Sequence, residues 1–461
     1  MRRSIRIKRL IIFLLIILIT VGIFQLIKMR SDNNRFKELL YINGVNYNYS
    51  NQISIDVNVL NTIYTNNVIL SDKTTDIKTI QANRRSSKNE NYLIIEYTKI
   101  FFLEKFCKFS SNQIFNSPIE KCKYQNCNYT CNKIDFLKQA DALIFHQRDL
   151  EAEFKDLFNN NLTKWLENTK QLPFKTVEEK LNNNPKQIWI LWNDENTPID
   201  IKFNEISNLF NWTLTFKTDS EIYEGSYGYF IINSNINSLL FKNIKENLYF
   251  NDFKQRKNAI LWFVSNCKPN YMFRVNKAIE LSKYYPIYIY GKCEPLNNIN
   301  KQLYPNLNYI QLNNNKECGR GSKCEEDKLK SFKYYLAFEN INCKDYITEK
   351  IWRSLEYNII PIILQPNRDS YERYKIPIKS IIHLNDFKSI YNLANYLNEI
   401  DNNFNIYFDH LKWTNIYLKS ISNPKYTEPH RMCQLCTKLN TLTSNIYYNK
   451  IADFFNKDCL I

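Results

Sequence analysis

Apolar positions along the chain fall into three regimes. From Leu10 to Ile27, eighteen predominantly apolar residues are interrupted by Gln25; at about 1.5 Å per residue such a helix spans a bilayer core. Residues 28–90 are polar, rich in Asn, Ser and Thr and without sustained periodicity, which predicts a stem. Beyond Asn91, short apolar runs at Tyr92–Glu96, Ala142–Phe145 and Gln187–Trp192 alternate with helical or loop stretches. That alternation predicts an α/β unit over 91–245 on a mostly parallel sheet. A charged helical stretch, 243–257, reads as a linker. A second unit over 255–425 carries predicted strands at Ala259–Val264, Pro286–Tyr290, Tyr334–Phe338 and Ile359–Leu364. Its predicted helices cover Met272–Tyr284, Ile347–Glu356 and Phe387–Ile400, the last with Ile390, Leu393, Leu397 and Ile400 on one face. The fold class is therefore α/β: two Rossmann-like domains facing a cleft, after a transmembrane helix and stem, with a cysteine-containing tail over 426–461.

The flanks of the first apolar run set its orientation. MRRSIRIKR carries five positive charges against Lys28 and Arg30 on the far side. The positive-inside rule leaves residues 1–9 cytoplasmic and 10–27 as an uncleaved signal-anchor. The remainder is then luminal, where the twelve cysteines, all beyond the anchor, suit disulfides. Those between 107 and 131 are expected to staple an insertion. Cys433 and Cys436 have no second pair at zinc-finger spacing and read as a short disulfide loop. Glycosylation sequons occur at Asn48, Asn128, Asn161 and Asn211.

Composition removes several chemistries. A net charge of +16 could indicate nucleic acid, but Lys is scattered among Asn, Ile and Tyr with no arginine-rich arm, so a solvated basic surface is expected and no nucleic-acid partner. Seven glycines cannot be arranged as G-x-G-x-x-G or a P-loop, and the four histidines include no i, i+4 pair for a zinc protease. Asp-x-Asp, a carboxylate pair that would hold a metal-bound diphosphate, is absent from the sequence. A diphosphate would then need side-chain cations and helix ends.

Tyr334 to Leu364, YYLAFENINCKDYITEKIWRSLEYNIIPIIL, reads as strand, polar turn, helix start and strand. Asp345 is placed as N-cap, which would leave the N–H groups of Ile347 to Lys350 facing the cleft. Lys350 in the first turn opposes the helix dipole, which points either to an anionic partner or to a capped surface helix with Glu349 and Lys350 exposed. The whole string resembles the signature of the α1,3-fucosyltransferase family, glycosyltransferase family 10. Phe332, Tyr335, Leu336, Phe338, Glu339, Asn340, Asp345, Tyr346, Ile347, Thr348, Glu349 and Lys350 stand in register with it. The likeness extends over roughly residues 90 to 420, through Val264–Cys267 with Arg274, Tyr290–Cys293, Tyr371 to Phe387 with Pro377 and Ser380, Ala140–His146 with Arg148-Asp149, and Phe210 to Tyr229.

The resemblance implies a GT-B fold without a metal requirement, Mn²⁺ entering only as an optional stimulant. It implies GDP-fucose as donor, with Arg274 and Lys350 on the diphosphate, Glu349 on sugar hydroxyls, and Asn340 and Tyr346 lining the pocket. Inverting transfer needs an acceptor-side carboxylate to take the hydroxyl proton. Glu195, at the end of the strand through Trp192, is the candidate catalytic base, with Asp194 as rival because the segment departs from the family's Asn-x-Glu-Ser-Pro. Gln365 replaces a family glycine, Arg353-Ser354 an Asn-Ala, and Ile341 a serine. The Cys433-x-x-Cys436 tail resembles that of members acting on the N-glycan core GlcNAc, favoured here over N-acetyllactosamine. The expected setting is the Golgi membrane, single-pass type II, with a glycoprotein glycan as acceptor. A luminal glycan-binding protein that lost turnover is the alternative.

Overall fold

The computed structural model describes residues 78–81, 91–107, 109–115, 121–153, 186–195, 198–199, 201–232, 239–267, 271–291, 309–312, 318–441 and 445–460. The expected cytoplasmic segment 1–9, the anchor 10–27 and most of the stem lie outside them. Among the described residues no helix is long and apolar enough to cross a membrane. The described residues all fall in one unit, Thr75–Ile461.

Strand β1, Lys78–Gln81, lies inside the segment expected as stem. The first half is built on β2 (Tyr92–Glu96), β3 (Cys127–Thr130), β4 (Ala142–His146), β5 (Ile188–Asn193) and β6 (Trp212–Thr215), in spatial order β3-β2-β4-β5-β6 with every neighbour parallel. Because side chains alternate across a sheet, Ile95, Leu143, Phe145, Trp189 and Leu191 fill one face and Ile94, Ile144, Ile188, Ile190 and Trp192 the other. A parallel sheet covered on both faces explains why these strands read as unbroken apolar runs.

Strand β7 (Tyr229–Ile232) and helix α1 (Leu239–Gln255) lead into the second half. Its sheet contains β8 (Lys257–Phe263), β9 (Ile287–Tyr290), β10 (Tyr309–Leu312) and β11 (Phe332–Leu336); a two-residue strand, β12 (Asn342–Cys343), stands apart, and β13 (Ile360–Ile363) and β14 (Ile382–His383) complete it. The order is β10-β9-β8-β11-β13-β14, again parallel throughout. Helices α2 (Met272–Ser282), α3 (Lys323–Ser331), α4 (Glu349–Glu356) and α5 (Ile390–Asn402) belong to this half. The predicted apolar face of α5 is buried, and Ser389 caps its first turn by accepting from Asn392 N.

Residues 426–461 do not form a separate tail. After β15 (Tyr417–Ile421), which pairs with β7, helix α6 (Pro424–Thr441) buries Met432, Leu435 and Leu439 in the core of the first half. Strand β16 (Asn445–Tyr448) pairs antiparallel with β1. Helix α7 (Ile451–Asn456) packs Ile451, Ala452, Phe454 and Phe455 against the first sheet, and β17 (Cys459–Leu460) then pairs with β12 of the second half. Cys343 is bonded to Cys459 at that crossing. The apolar residues of this segment explain the return: left as a tail, they would stay in water.

The expected Cys433–Cys436 loop does not form. Cys433 bonds Cys122 and Cys436 bonds Cys127, so both cysteines fasten α6 to the first half, while Cys107 pairs with Cys131. One helical turn places the two thiols on a common face, where two separate partners reach them.

Candidate functional site

The sheets end where ligands bind in open α/β folds, beyond the carboxyl ends of their strands. Strand β5 delivers Asp194 and Glu195 there, and β11 delivers the turn that starts at Glu339. The two neighbouring acids are treated differently. Asp194 is almost fully buried and accepts from both terminal nitrogens of Arg431 on α6, from Ser226 Oγ at 2.6 Å and from Trp192 Nε1 at 2.6 Å. Burial works against its ionisation, but Arg431 and these donors outweigh it and hold the carboxyl below the usual range. Its lone pairs are occupied, which removes it as a proton acceptor.

Glu195 is half-buried, with its backbone N–H held by Asn193 Oδ1 at 2.9 Å. Burial, then the Asp194 carboxylate and Glu349, push its carboxyl up, against an opposing pull from exposed Arg148. A carboxyl so shifted takes up a proton more readily than its neighbour.

Glu339, at the start of the second turn, is fully buried. It accepts from Thr348 N at 2.9 Å, Thr348 Oγ1 at 2.7 Å and Lys350 Nζ at 2.7 Å, and Lys350 also donates to Thr348 Oγ1 at 2.8 Å. This changes two expectations. Helix α4 begins at Glu349, and the Thr348 N–H faces Glu339 rather than open cleft. Lys350, which the sequence placed against an external anion, has Glu339 as its resident partner. Burial opposes its charge, yet Glu339 and Glu349 more than compensate and raise its affinity for the proton.

Asp345 is not the helix cap; Thr348 occupies that position. At φ +67° Asp345 turns its buried carboxylate towards Thr218 of the first half, accepting from its N at 3.1 Å and its Oγ1 at 2.6 Å, and from Arg373 Nε at 2.9 Å. Asp tolerates the left-handed region better than most residues. The neighbouring Tyr346 is buried, its ring 4.9 Å from Phe216 and 6.0 Å from Tyr227, both from the first half. Tyr346 and Tyr227 both feel the charges of Glu195 and Glu349, so these four side chains share one region between the halves.

Glu349 lies with 19% of its side chain exposed, 3.7 Å from Arg320 and 3.9 Å from Lys350. Burial disfavours its charge, but Lys350, Arg320 and Arg353 together hold its carboxyl at about 2. Arg274, on α2, is buried: Nη1 donates to Phe338 O at 3.1 Å and Nη2 to Asn266 O at 2.5 Å, while Nε has no hydrogen-bond partner. Burial lowers its proton affinity against the pull of Glu339. Asn340 follows Glu339 in the chain and is half-buried. The site therefore gathers two carboxylates on opposite sides, a buried guanidinium with an unused N–H, an ammonium and two tyrosines.

Sequence reasoning missed the Asp194–Arg431 pair, the Asp345–Thr218 link and Arg320. Nothing local marks residues 237 and 127 positions apart as partners. Of the sequons, Asn48 and Asn161 lie outside the described residues, and Asn128 is exposed on β3. Asn211 is a correction: it is buried, accepts from Trp189 N at 3.0 Å and donates to Ile446 O at 3.0 Å, leaving no room for a glycan in the folded chain. Glu96, Cys107 and Cys131 group at metal-ligand distances, but the two sulfurs are joined as a disulfide.

Comparison with known proteins identifies both halves. Residues 89–228 match the family described as "Fucosyltransferase, N-terminal", and residues 253–454 match "Glycosyltransferase family 10 (fucosyltransferase) C-term". The Mus musculus 4-galactosyl-N-acetylglucosaminide 3-alpha-L-fucosyltransferase 9 is 30% identical over 314 residues, 68% of this chain and 70% of that protein. The Drosophila melanogaster glycoprotein 3-alpha-L-fucosyltransferase A is 29% identical over 341 residues, 73% of this chain and 55% of that protein. A crystal structure of an alpha1,3-fucosyltransferase with GDP overlaps 78% of this chain and 93% of its own, at 14% identity and a TM-score of 0.38.

Proposed function

This chain belongs to glycosyltransferase family 10, the fucosyltransferases, and from that premise we propose that it transfers L-fucose from GDP-fucose in α1,3 linkage to a GlcNAc residue of a glycoprotein glycan. The observation that carries the reading is the placement of two carboxylates across the site: Glu195, half-buried after β5 and shifted towards proton uptake, and Glu349, at the start of α4, 3.7 Å from Arg320 and 3.9 Å from Lys350 and held ionised by them. An inverting displacement uses both states, one carboxylate to accept the acceptor hydroxyl's proton and another to accept hydrogen bonds from donor-sugar hydroxyls. Arg274, whose Nε is unpartnered, and Lys350 supply the positive charge that stabilises the departing diphosphate. Asn340 and Tyr346 complete the donor pocket.

The acceptor we propose is the N-glycan core GlcNAc. The Drosophila relative is named as acting on glycoprotein; the mouse relative is named for a galactosylated N-acetylglucosaminide, making N-acetyllactosamine the alternative acceptor. We place the protein in the Golgi membrane as a single-pass type II chain, on the charge asymmetry around residues 10–27. The test is acceptor profiling of the purified full-length chain with GDP-fucose. Transfer to a core N-glycan in preference to N-acetyllactosamine supports the assignment. Glycan binding with no transfer to any acceptor would leave a lectin on the same fold instead.

A further inference from the structure

Glu349 is faced by three cations, two of which are committed elsewhere. Lys350 Nζ is 3.9 Å from Glu349 but 2.7 Å from Glu339. Arg353, on the same helix α4, donates to buried Glu325. The third is Arg320, whose Nη2 stands 3.7 Å from Glu349 Oε2 and whose side chain is 64% exposed.

The loop that presents Arg320 is built with care at both ends. Cys318 and Cys324, six positions apart, are disulfide-bonded. Gly321 adopts φ +78°, and its N–H donates to Glu325 Oε2 at 2.6 Å. Ser322 caps α3 by accepting from Glu325 N at 3.1 Å. Glu325 thus joins the loop to Arg353, and through α4 to Glu349. The arginine at the apex of this ring adds little to the fold, since an exposed ion pair contributes about 0.2–1 kcal/mol. Its placement makes sense at the site.

We infer that Arg320 is a positioning residue of the donor site, holding the Glu349 carboxylate where the donor sugar's hydroxyls meet it. This rests on the fucosyltransferase reading above. Other charged or titratable groups that bear on Glu349 are Tyr335 on β11, and Tyr346, Tyr227 and Glu195 between the halves. None of the four supplies a cation, so the loss of Arg320 has no substitute among them.

The test is steady-state kinetics of the full-length chain with GDP-fucose, alongside calorimetry with GDP alone. Arg320→Ala should raise the donor KM about two- to fivefold, leave GDP affinity unchanged, and move the acid limb of the donor-KM profile to higher pH. Arg320→Lys should restore part of the loss, and the double substitution Cys318→Ser/Cys324→Ser should reproduce Arg320→Ala. An unchanged donor KM overturns the inference, as does a parallel fall in GDP affinity, which would make Arg320 a diphosphate ligand. A parent chain that neither binds GDP nor uses GDP-fucose would defeat the underlying reading instead, and the parent control tells the two failures apart.

Discussion

Glu195→Gln is the substitution that separates the roles of the two adjacent acids. It keeps the shape of the side chain and removes its ability to accept a proton. A positioned general base contributes about 10²–10⁴-fold, so kcat should fall by that factor while GDP affinity is retained. Stability should move the other way. The Glu195 carboxyl is pushed up by burial and by Asp194 and Glu349, so folding disfavours its ionised form relative to the unfolded chain. A neutral amide removes that penalty, and the variant should melt at or slightly above the parent temperature.

Asp194→Asn should behave in the opposite sense. It leaves Arg431, itself 2% exposed, without its carboxylate, and breaking a buried pair from one side costs about 3–5 kcal/mol. The assay is transfer to a core N-glycan, paired with chemical denaturation of each full-length variant. Wild-type activity should decline as pH falls through the raised Glu195 value, and Arg148→Ala should move that limb still higher because Arg148 is the cation opposing the shift. A Glu195→Gln variant with kcat within threefold of the parent, or one destabilised as much as Asp194→Asn, would refute the assignment.

Other perturbations probe the donor side. Arg274→Ala and Lys350→Ala should each weaken GDP about 10²-fold, the range for a charge-assisted hydrogen bond, measured by calorimetry; Lys350→Ala should also lose about 3 kcal/mol of stability because the fully buried Glu339 loses its ion-pair partner. For Glu349, a folded value of about 2 against 4.5 gives at most about 3 kcal/mol of stability, present above pH 4.5 and lost as pH falls towards 2. Glu349→Gln should therefore be less stable at pH 7 in denaturant titrations, with the gap closing towards pH 2. Gly228→Ala should be destabilised by more than about 3 kcal/mol or fail to fold, since the new Cβ would stand 2.1 Å from the ring of buried Trp352; circular dichroism on heating reads this directly.

Much of this site was legible in the sequence because its parts are local. The buried strands announce themselves as apolar runs, and the turn from Glu339 to Lys350 lies within twelve residues. What escaped depends on distance along the chain. Asp345 has the residue type of a helix cap and stands where one belongs, but Thr218 and Arg373 offer its carboxylate two donors and a charge, which outweigh a capping bond. Cys433 and Cys436 suggest a loop by spacing, yet their partners are 311 and 309 positions away, and connectivity cannot be read from spacing. The sequon at Asn211 records residue types only; its burial is set by β16, 235 residues later.

These long-range links bear on how the two halves can move. The turn that carries the donor-side groups is tied to the first half by Asp345 with Thr218, by the Lys344 N–H donating to Asp458 O at 3.0 Å, and by the bond from Cys343 to Cys459. Residue 459 follows α7, whose side chains pack on the first sheet, and Lys217 of that half donates to Phe454 O and Lys457 O, each at 2.7 Å. A hinge that opened the cleft widely would therefore have to drag the turn out of its own half or break a covalent bond. Smaller rearrangements of side chains meet no such barrier: Arg320 lies outside these ties, and Lys350 would need only to exchange one anion for another. Donor binding in this chain should accordingly proceed by exchange of ion-pair partners within a braced cleft, with Glu195 and Glu349 held at a separation that the bound state inherits.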